Sequence, residues 1–230
     1  MIPEIHAQSL GPPEMSVLLL STAGVAILHT LAGPDHYLPF VVLGRARRWS
    51  TARVIGWTAL CGAAHVGSSV LLALVGVLFG HGLERVRAVE EWRGNVAAWA
   101  MIAFGAVYLV WGVKRALRGV AHRHEHGAGE DEDARGFRAT PWVLFTIFVF
   151  GPCEPMIPLV MYPAAQGSWG DVWTVVVVFS LLTVGAMLAV VLGALRGIRL
   201  LPTRSLERFN HAVAGGTILL AGCAIQFLGL

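Results

Sequence analysis

Three histidines and two carboxylates stand in apolar stretches that have little reason to keep them. His29, Asp35 and His36 fall in His29-Thr30-Leu31-Ala32-Gly33-Pro34-Asp35-His36, and His65 lies inside the next apolar run. Cys153 and Glu154 come half a chain later, in Gly151-Pro152-Cys153-Glu154-Pro155. Imidazole nitrogen and carboxylate oxygen are ligands for divalent first-row metals such as nickel, cobalt and zinc, and a thiolate adds a softer donor. The same side chains also relay protons in pumps, so both chemistries are open at this point. A charge at the bilayer centre costs about 2.5–3.5 kcal/mol on insertion scales, which argues against His29, Asp35 and His36 being incidental. Asp35 and Glu154 are read as the deep carboxylates. A site that releases its ion needs incomplete coordination, unlike a closed structural zinc site.

The elements that must carry these residues are membrane spans. The 230 residues are 56% hydrophobic and 13% charged, with a mean hydropathy of +0.66. Soluble domains carry about 25% charged residues, and several apolar runs here reach the roughly 20 residues that cross a bilayer as helix. The net charge of +3 reflects basic loops and excludes no membrane role, so no nucleic-acid partner is expected. Cys61, Cys153 and Cys223 are scattered, without the paired spacing of a disulfide framework. Met1 to Glu14 holds no Lys or Arg, so the first apolar run is expected to belong to the mature chain and not to a signal peptide.

Six spans are expected: about 15–44, 54–79, 95–113, one beginning at 141, 172–195 and 210–230. The first breaks at Gly33-Pro34 and the fourth at Gly151-Pro152 and Pro155, since proline lacks the helix donor. Lys plus Arg number 4, 3, 6, 0 and 4 in the five loops and 0 at each terminus. That alternation places both termini outside the cytoplasm in an inner or plasma membrane. Trp49, Trp92, Trp111, Trp142 and Trp169 fall near span ends, as an aromatic belt requires. Residues 84–93 read as a mixed-charge loop. Residues 114–140 read as a polar cytoplasmic loop, in which His122, His124 and His126 form a secondary metal-capture sequence.

The two halves, 1–113 and 141–230, resemble each other at an offset of 110 to 118 residues. Gly33-Pro34-Asp35-His36 matches Gly151-Pro152-Cys153-Glu154, Trp57-Thr58 matches Trp173-Thr174, and Gly105 and Gly112 match Gly215 and Gly222. An odd number of spans per copy makes the repeat inverted, a design of secondary transporters with interrupted helices and a midplane site. Ser68 and Ser69 read as helix–helix hydrogen-bonding residues, and Cys61 and Cys223 as packing.

The His-x3-Gly-Pro-Asp-His stretch resembles the first signature of urease-accessory-type and nickel/cobalt-transporter-like membrane proteins of the LysE-type transporter superfamily. His65 followed by Ser68-Ser69-Val70 resembles that group's second signature, and the His-rich loop and the Gly-Pro-Cys-Glu-Pro stretch are similar too. Typical permeases of the group carry His-x4-Asp-His, one residue shorter than His29 to Asp35-His36. Related thiol-disulfide carriers place a cysteine in each repeat, whereas Asp35 stands opposite Cys153 here.

The chain is therefore expected to be an all-α integral membrane transporter, not an enzyme. It would move nickel or cobalt through a site of His29, Asp35, His36, His65, Cys153 and Glu154. No permanently bound cofactor is expected; the partners are the metal ion and the bilayer, and a homo-oligomer is open. The competing readings are a carrier of small anions or organosulfur compounds, which would use Arg or Lys deep in the spans, and a thiol-linked redox or accessory protein.

Overall fold

The computed structural model describes residues 10–80, 82–121, 140–199 and 208–229. All regular elements among them are helices: α1 (Pro12–Ala32), a 3-10 turn (Pro34–His36), α2 (Leu38–Ala46), α3 (Thr51–Leu78), α4 (Leu83–Ala121), α5 (Thr140–Phe150), α6 (Met156–Ala165), α7 (Trp169–Arg199) and α8 (Asn210–Leu228). Five of them, within Pro12–Ala32, Thr51–Leu78, Leu83–Arg118, Trp169–Gly197 and Asn210–Leu228, are long and apolar enough to cross a membrane. Apolar side chains face outward along them, among them Leu20, Leu28, Leu71, Val107, Leu181, Leu220 and Phe227. Apolar surface on this scale is foreign to a soluble monomer and fits a multi-pass membrane protein.

Local chemistry sets the ends of these helices. Pro12 and Pro13 open α1, where a missing donor costs nothing, and the Gly11 amide donates to the Glu14 carboxylate. Ser50 caps α3 by accepting from the Arg53 amide at 3.3 Å. Gly229 closes α8 in the left-handed region at φ 69°, where an L side chain is strained. The start of the described chain is tied down by Asp171, which accepts from the Leu10 amide at 2.8 Å and from the Ser168 hydroxyl.

Three boundaries differ from the sequence reading. Residues 84–93 are not a loop: α4 begins at Leu83 and its 39 residues span about 58 Å, nearly twice a hydrocarbon core of about 30 Å. Interleaved Glu and Arg sustain a helix through i,i+3 pairs, such as Glu90 with Arg93. Lys114 to Ala121, read as loop, continues α4. The first helix does stop at Gly33-Pro34, but α1 alone has 21 residues, so the interruption follows a full-length helix and leaves the 9-residue α2 beyond it. His122, His124 and His126 lie outside the described residues.

The bundle is held by two apolar clusters. One joins Phe40, Leu43, Val54, Cys61, Tyr108, Leu144, Phe148, Met187 and Ile218. The other joins Leu18, Ala26, Val66, Cys153, Met156, Val160, Val172 and Phe179. Helix α3 runs between them and packs on α5, α6 and α7, while α1 lies on α7 and α2 on α8. Helices α4 and α8 meet backbone to backbone. A Cβ at Gly105 would strike Leu219, at Gly112 Ala212, at Gly215 Leu109 and at Gly222 Ile102. The partner numbers fall as the glycine numbers rise, so the two helices are antiparallel.

The seam has a direct test. Because the atoms in the way at Gly215 are backbone and cannot swing aside, Gly215→Ala is expected to lower stability by about 1–3 kcal/mol. Gly56→Ala, with nothing within 4 Å, is expected to be neutral or to gain roughly 0.5–1 kcal/mol. Thermal unfolding in detergent reads both, and a Gly215→Ala midpoint equal to wild type would contradict the seam.

Candidate metal centre

Where α1 stops, its last turn and the following 3-10 turn bring His29 and His36 together. The Gly33 amide still bonds to the His29 carbonyl at 3.0 Å, but Pro34 cannot continue the ladder. The chain turns, and the His36 amide donates to the Gly33 carbonyl at 3.1 Å. The His36 ring folds back over this turn: its centroid is 4.7 Å from that of His29 and 5.0 Å from that of His65 on α3. One nitrogen from each of His29, His36 and His65 lies within 4.8 Å of the other two. His36 and His65 are buried at 2% exposure each, so the trio sits inside the bundle.

Hydrogen bonding assigns the ring nitrogens. His36 Nδ1 lies 3.1 Å from the Gly33 carbonyl oxygen and 3.1 Å from Asp35 Oδ1, two acceptors that require a proton on Nδ1. That leaves the His36 Nε2 lone pair free, and Nε2 faces His65 Nε2 at 3.3 Å. Gly151 crowds His65 Nδ1, where a Cβ would come within 2.9 Å. The two Nε2 atoms therefore face each other with at most one proton between them. Such a contact is repulsive until a cation, either a proton or a metal ion, takes a share of both. His29 Nε2 is buried without a hydrogen-bond partner and is a third free donor. Two imidazoles on a tetrahedral ion with metal–nitrogen bonds of about 2.0–2.1 Å stand roughly 3.3 Å apart. His36 and His65 already have this spacing, while the widest pair of the trio would contract by about 1.5 Å to bind the same ion.

The remaining expected site residues lie elsewhere. Asp35 is not one of the three converging donors; its carboxylate braces His36 Nδ1, the usual way a carboxylate orients a ligating imidazole. Cys153 is buried in the apolar cluster with Ala26 and Val66 and is outside the group of converging donors. Glu154 is half-exposed and takes both Nε and Nη2 of Arg87 on one oxygen, at 2.9 and 2.6 Å. The break residues Gly151, Pro152 and Pro155 contribute backbone: Gly151 backs His65, and Pro152 presses on Gly94 of α4. A cavity of about 470 Å³ reaches His29, lined also by Arg87, Pro152, Glu154, Pro155, Pro158 and Gly229. The trio is thus connected to the surface on the side of the Arg87–Glu154 pair.

Two residues of the same region were invisible in the sequence. Glu90 is fully buried and pairs with Arg93 at 2.6 Å. Its Oε2 has no hydrogen bond of good geometry, although Ser69 and the Cys153 amide lie beside it. Removing one member of a buried pair like this costs about 3–5 kcal/mol, because the other is left charged and alone. A basic side chain, Arg93, does therefore sit inside the bundle, but Glu90, Ser68 and Val149 occupy its guanidinium. The signal that could have revealed the pair is the i,i+3 spacing of Glu90 and Arg93. The surrounding charges Glu84, Arg85, Arg87 and Glu91 masked it.

Calorimetric titration of the detergent-purified protein with Co2+ tests the centre. Asp35→Asn is expected to weaken binding by about 10–100-fold, as loss of an orienting carboxylate does, and His29→Ala, His36→Ala and His65→Ala by more. Affinity should fall as the pH drops through the histidine range, since a protonated imidazole has no lone pair to offer. Wild-type affinity in all four variants would exclude the trio. Comparison of the chain with protein-family models, curated proteins and solved structures finds no match.

Proposed function

We propose that the protein is a membrane carrier for a divalent transition-metal cation, nickel or cobalt, which binds at His29, His36 and His65. The observation that carries this reading is the convergence of three imidazole nitrogens, two of them 3.3 Å apart with room for one cation between them and the third unpartnered. Neutral imidazole is the ligand that nickel, cobalt and zinc share. Three donors, with no fourth converging ligand among the described residues, leave the ion able to depart. A permanent proton relay would need a hydrogen-bonded chain onward from the trio, and His29 Nε2 ends without one.

In this reading the chain forms six spans as two inverted triplets, the first and fourth interrupted at Gly33-Pro34 and Gly151-Pro152. The contacts of α4 with α8 support it. At an offset of 110 residues, Gly105 corresponds to Gly215 and Leu109 to Leu219, and the pairs are Gly105 with Leu219 and Gly215 with Leu109. Ile102 and Gly112 pair with Ala212 and Gly222 in the same crossed way. Reciprocal contact between antiparallel helices is what a two-fold axis across them produces, and an axis in the membrane plane is the hallmark of inverted repeats. Counted from Thr140, α5 rises about 16 Å to the second break, about half a bilayer core. The Lys and Arg distribution puts the start of α4 and the end of α8 outside the cytoplasm, so the cavity holding Arg87 and Gly229 opens outward.

A carrier of small anions would need a free buried cation. Arg93 is already neutralised by Glu90, which disfavours that class. A dithiol redox protein would need a second cysteine at the break, where Asp35 stands. Proteoliposomes loaded with a metal-sensitive dye provide the test. Wild type is expected to move Ni2+ or Co2+ but not Mg2+, His36→Ala to fall to the protein-free rate, and Asp35→Ala to slow flux by about 10–100-fold. If neither transition metal moves or binds, the proposal fails.

A further inference from the structure

The opening of the fourth span contains a split hydrogen bond whose two halves are both recaptured. In a continuous α-helix the Cys153 amide would donate to the Val149 carbonyl, four residues back. Neighbouring carbonyls have no such choice, because Pro152 and Pro155 bring no N–H to Phe148 and Gly151. The Phe148 carbonyl takes the Gly151 amide instead, at 3.1 Å. Val149 with Cys153 and Phe150 with Glu154 are the pairs that could close across Gly151-Pro152, and neither does. The Cys153 amide donates to Ser69 Oγ of α3 at 3.1 Å. The Val149 carbonyl accepts from Arg93 Nη2 of α4 at 2.6 Å. Arg93 Nη2 also donates to Ser68 Oγ at 2.7 Å, and Nη1 to Glu90 Oε1 at 2.6 Å.

The geometry points to Arg93 as a positioning residue for the histidine centre: with Ser69 it captures the two halves of the Val149–Cys153 bond and so holds the unwound backbone against His65. This rests on the reading of the trio as a metal site. The mechanical link is short. Val149 adjoins Phe148, whose ring centroid is 6.1 Å from that of His65, and Gly151 stands behind His65 Nδ1. Ser68 and Ser69 lie one helical turn past His65 on the same helix. Without Arg93 the Val149 carbonyl is stranded in an apolar interior, where an unpaired group is strongly disfavoured. Its nearest remedy is to rewind onto the Cys153 amide, which would withdraw the wall behind His65. Glu90 keeps the guanidinium neutral overall in that interior.

The test avoids leaving a lone buried charge by removing both members of the pair. In Arg93→Met/Glu90→Gln, two readouts are followed: alkylation of Cys153 by N-ethylmaleimide, resolved from Cys61 by mass spectrometry, and Co2+ affinity by calorimetry. The expected result is at least about tenfold faster labelling of Cys153 with Cys61 unchanged, and Co2+ affinity lowered by about 10-fold, the low end for a supporting residue. Arg93→Lys, which can still reach both Val149 and Glu90, is expected to restore most of the affinity. A folded double variant with wild-type labelling and wild-type affinity overturns the proposal. So does a loss of affinity with Cys153 unchanged, or a Lys variant as weak as the double one. If the double variant does not fold, Ser69→Ala replaces it, removes the Cys153 half of the capture, and is judged by the same two readouts. Changed Cys153 labelling in a protein whose wild type binds no Co2+ would uphold the capture and sink the metal reading instead.

Discussion

Backbone groups freed by a helix break have no water to turn to inside an apolar bundle, and this constraint organises the rest of the molecule. Each break must be given partners by the protein itself. At the first, the Gly33 carbonyl takes the His36 amide and the His36 ring Nδ1. At the second, Val149 and Cys153 take Arg93 and Ser69. The first solution has a chemical by-product. By engaging Nδ1 with a carbonyl and with Asp35, it frees Nε2 of His36 and aims it at His65. The donor set and the helix break are therefore one arrangement, with His36 serving both.

The glycine seam supplies the scaffold for it. Association in a membrane gains nothing from excluding lipid, so it relies on close packing by small residues. Gly105, Gly112, Gly215 and Gly222 let α4 and α8 touch along their backbones. That contact anchors α4, which carries Glu90 and Arg93 to the second break, and Gly94, which receives Pro152. A fault in the seam would thus reach the histidines through Arg93 as well as through α8, which packs on the 3-10 turn that holds His36.

Much of the centre was legible in residue types. His29, His36 and His65 are conspicuous because imidazoles are rare in apolar runs, and Gly33-Pro34 announces a break by the chemistry of proline. Cys153 and Glu154 were equally conspicuous, but neither is among the three converging donors. They are adjacent in sequence, but the turn at the break sends them apart, Cys153 into an apolar cluster and Glu154 out to Arg87. Glu90 and Arg93 were missed for the opposite reason. They sit among charges that look solvated, and only burial by α3 and the second break distinguishes them.

The sequence by itself determined what depends on composition and local stereochemistry: long apolar helices, a membrane setting, interruptions at Gly-Pro, and glycines at matching places in the two halves. Tertiary structure alone decided which polar groups meet. Whether Asp35 ligates or braces, whether Glu154 faces the histidines or Arg87, and where Arg93 spends its donors all depend on directions of side chains brought together from distant parts of the chain. The physical reason is that helix periodicity specifies which face a residue occupies, but not what another helix presents to that face. Inside a dry bundle that partner decides whether a polar side chain is a ligand, a brace or a substitute for backbone.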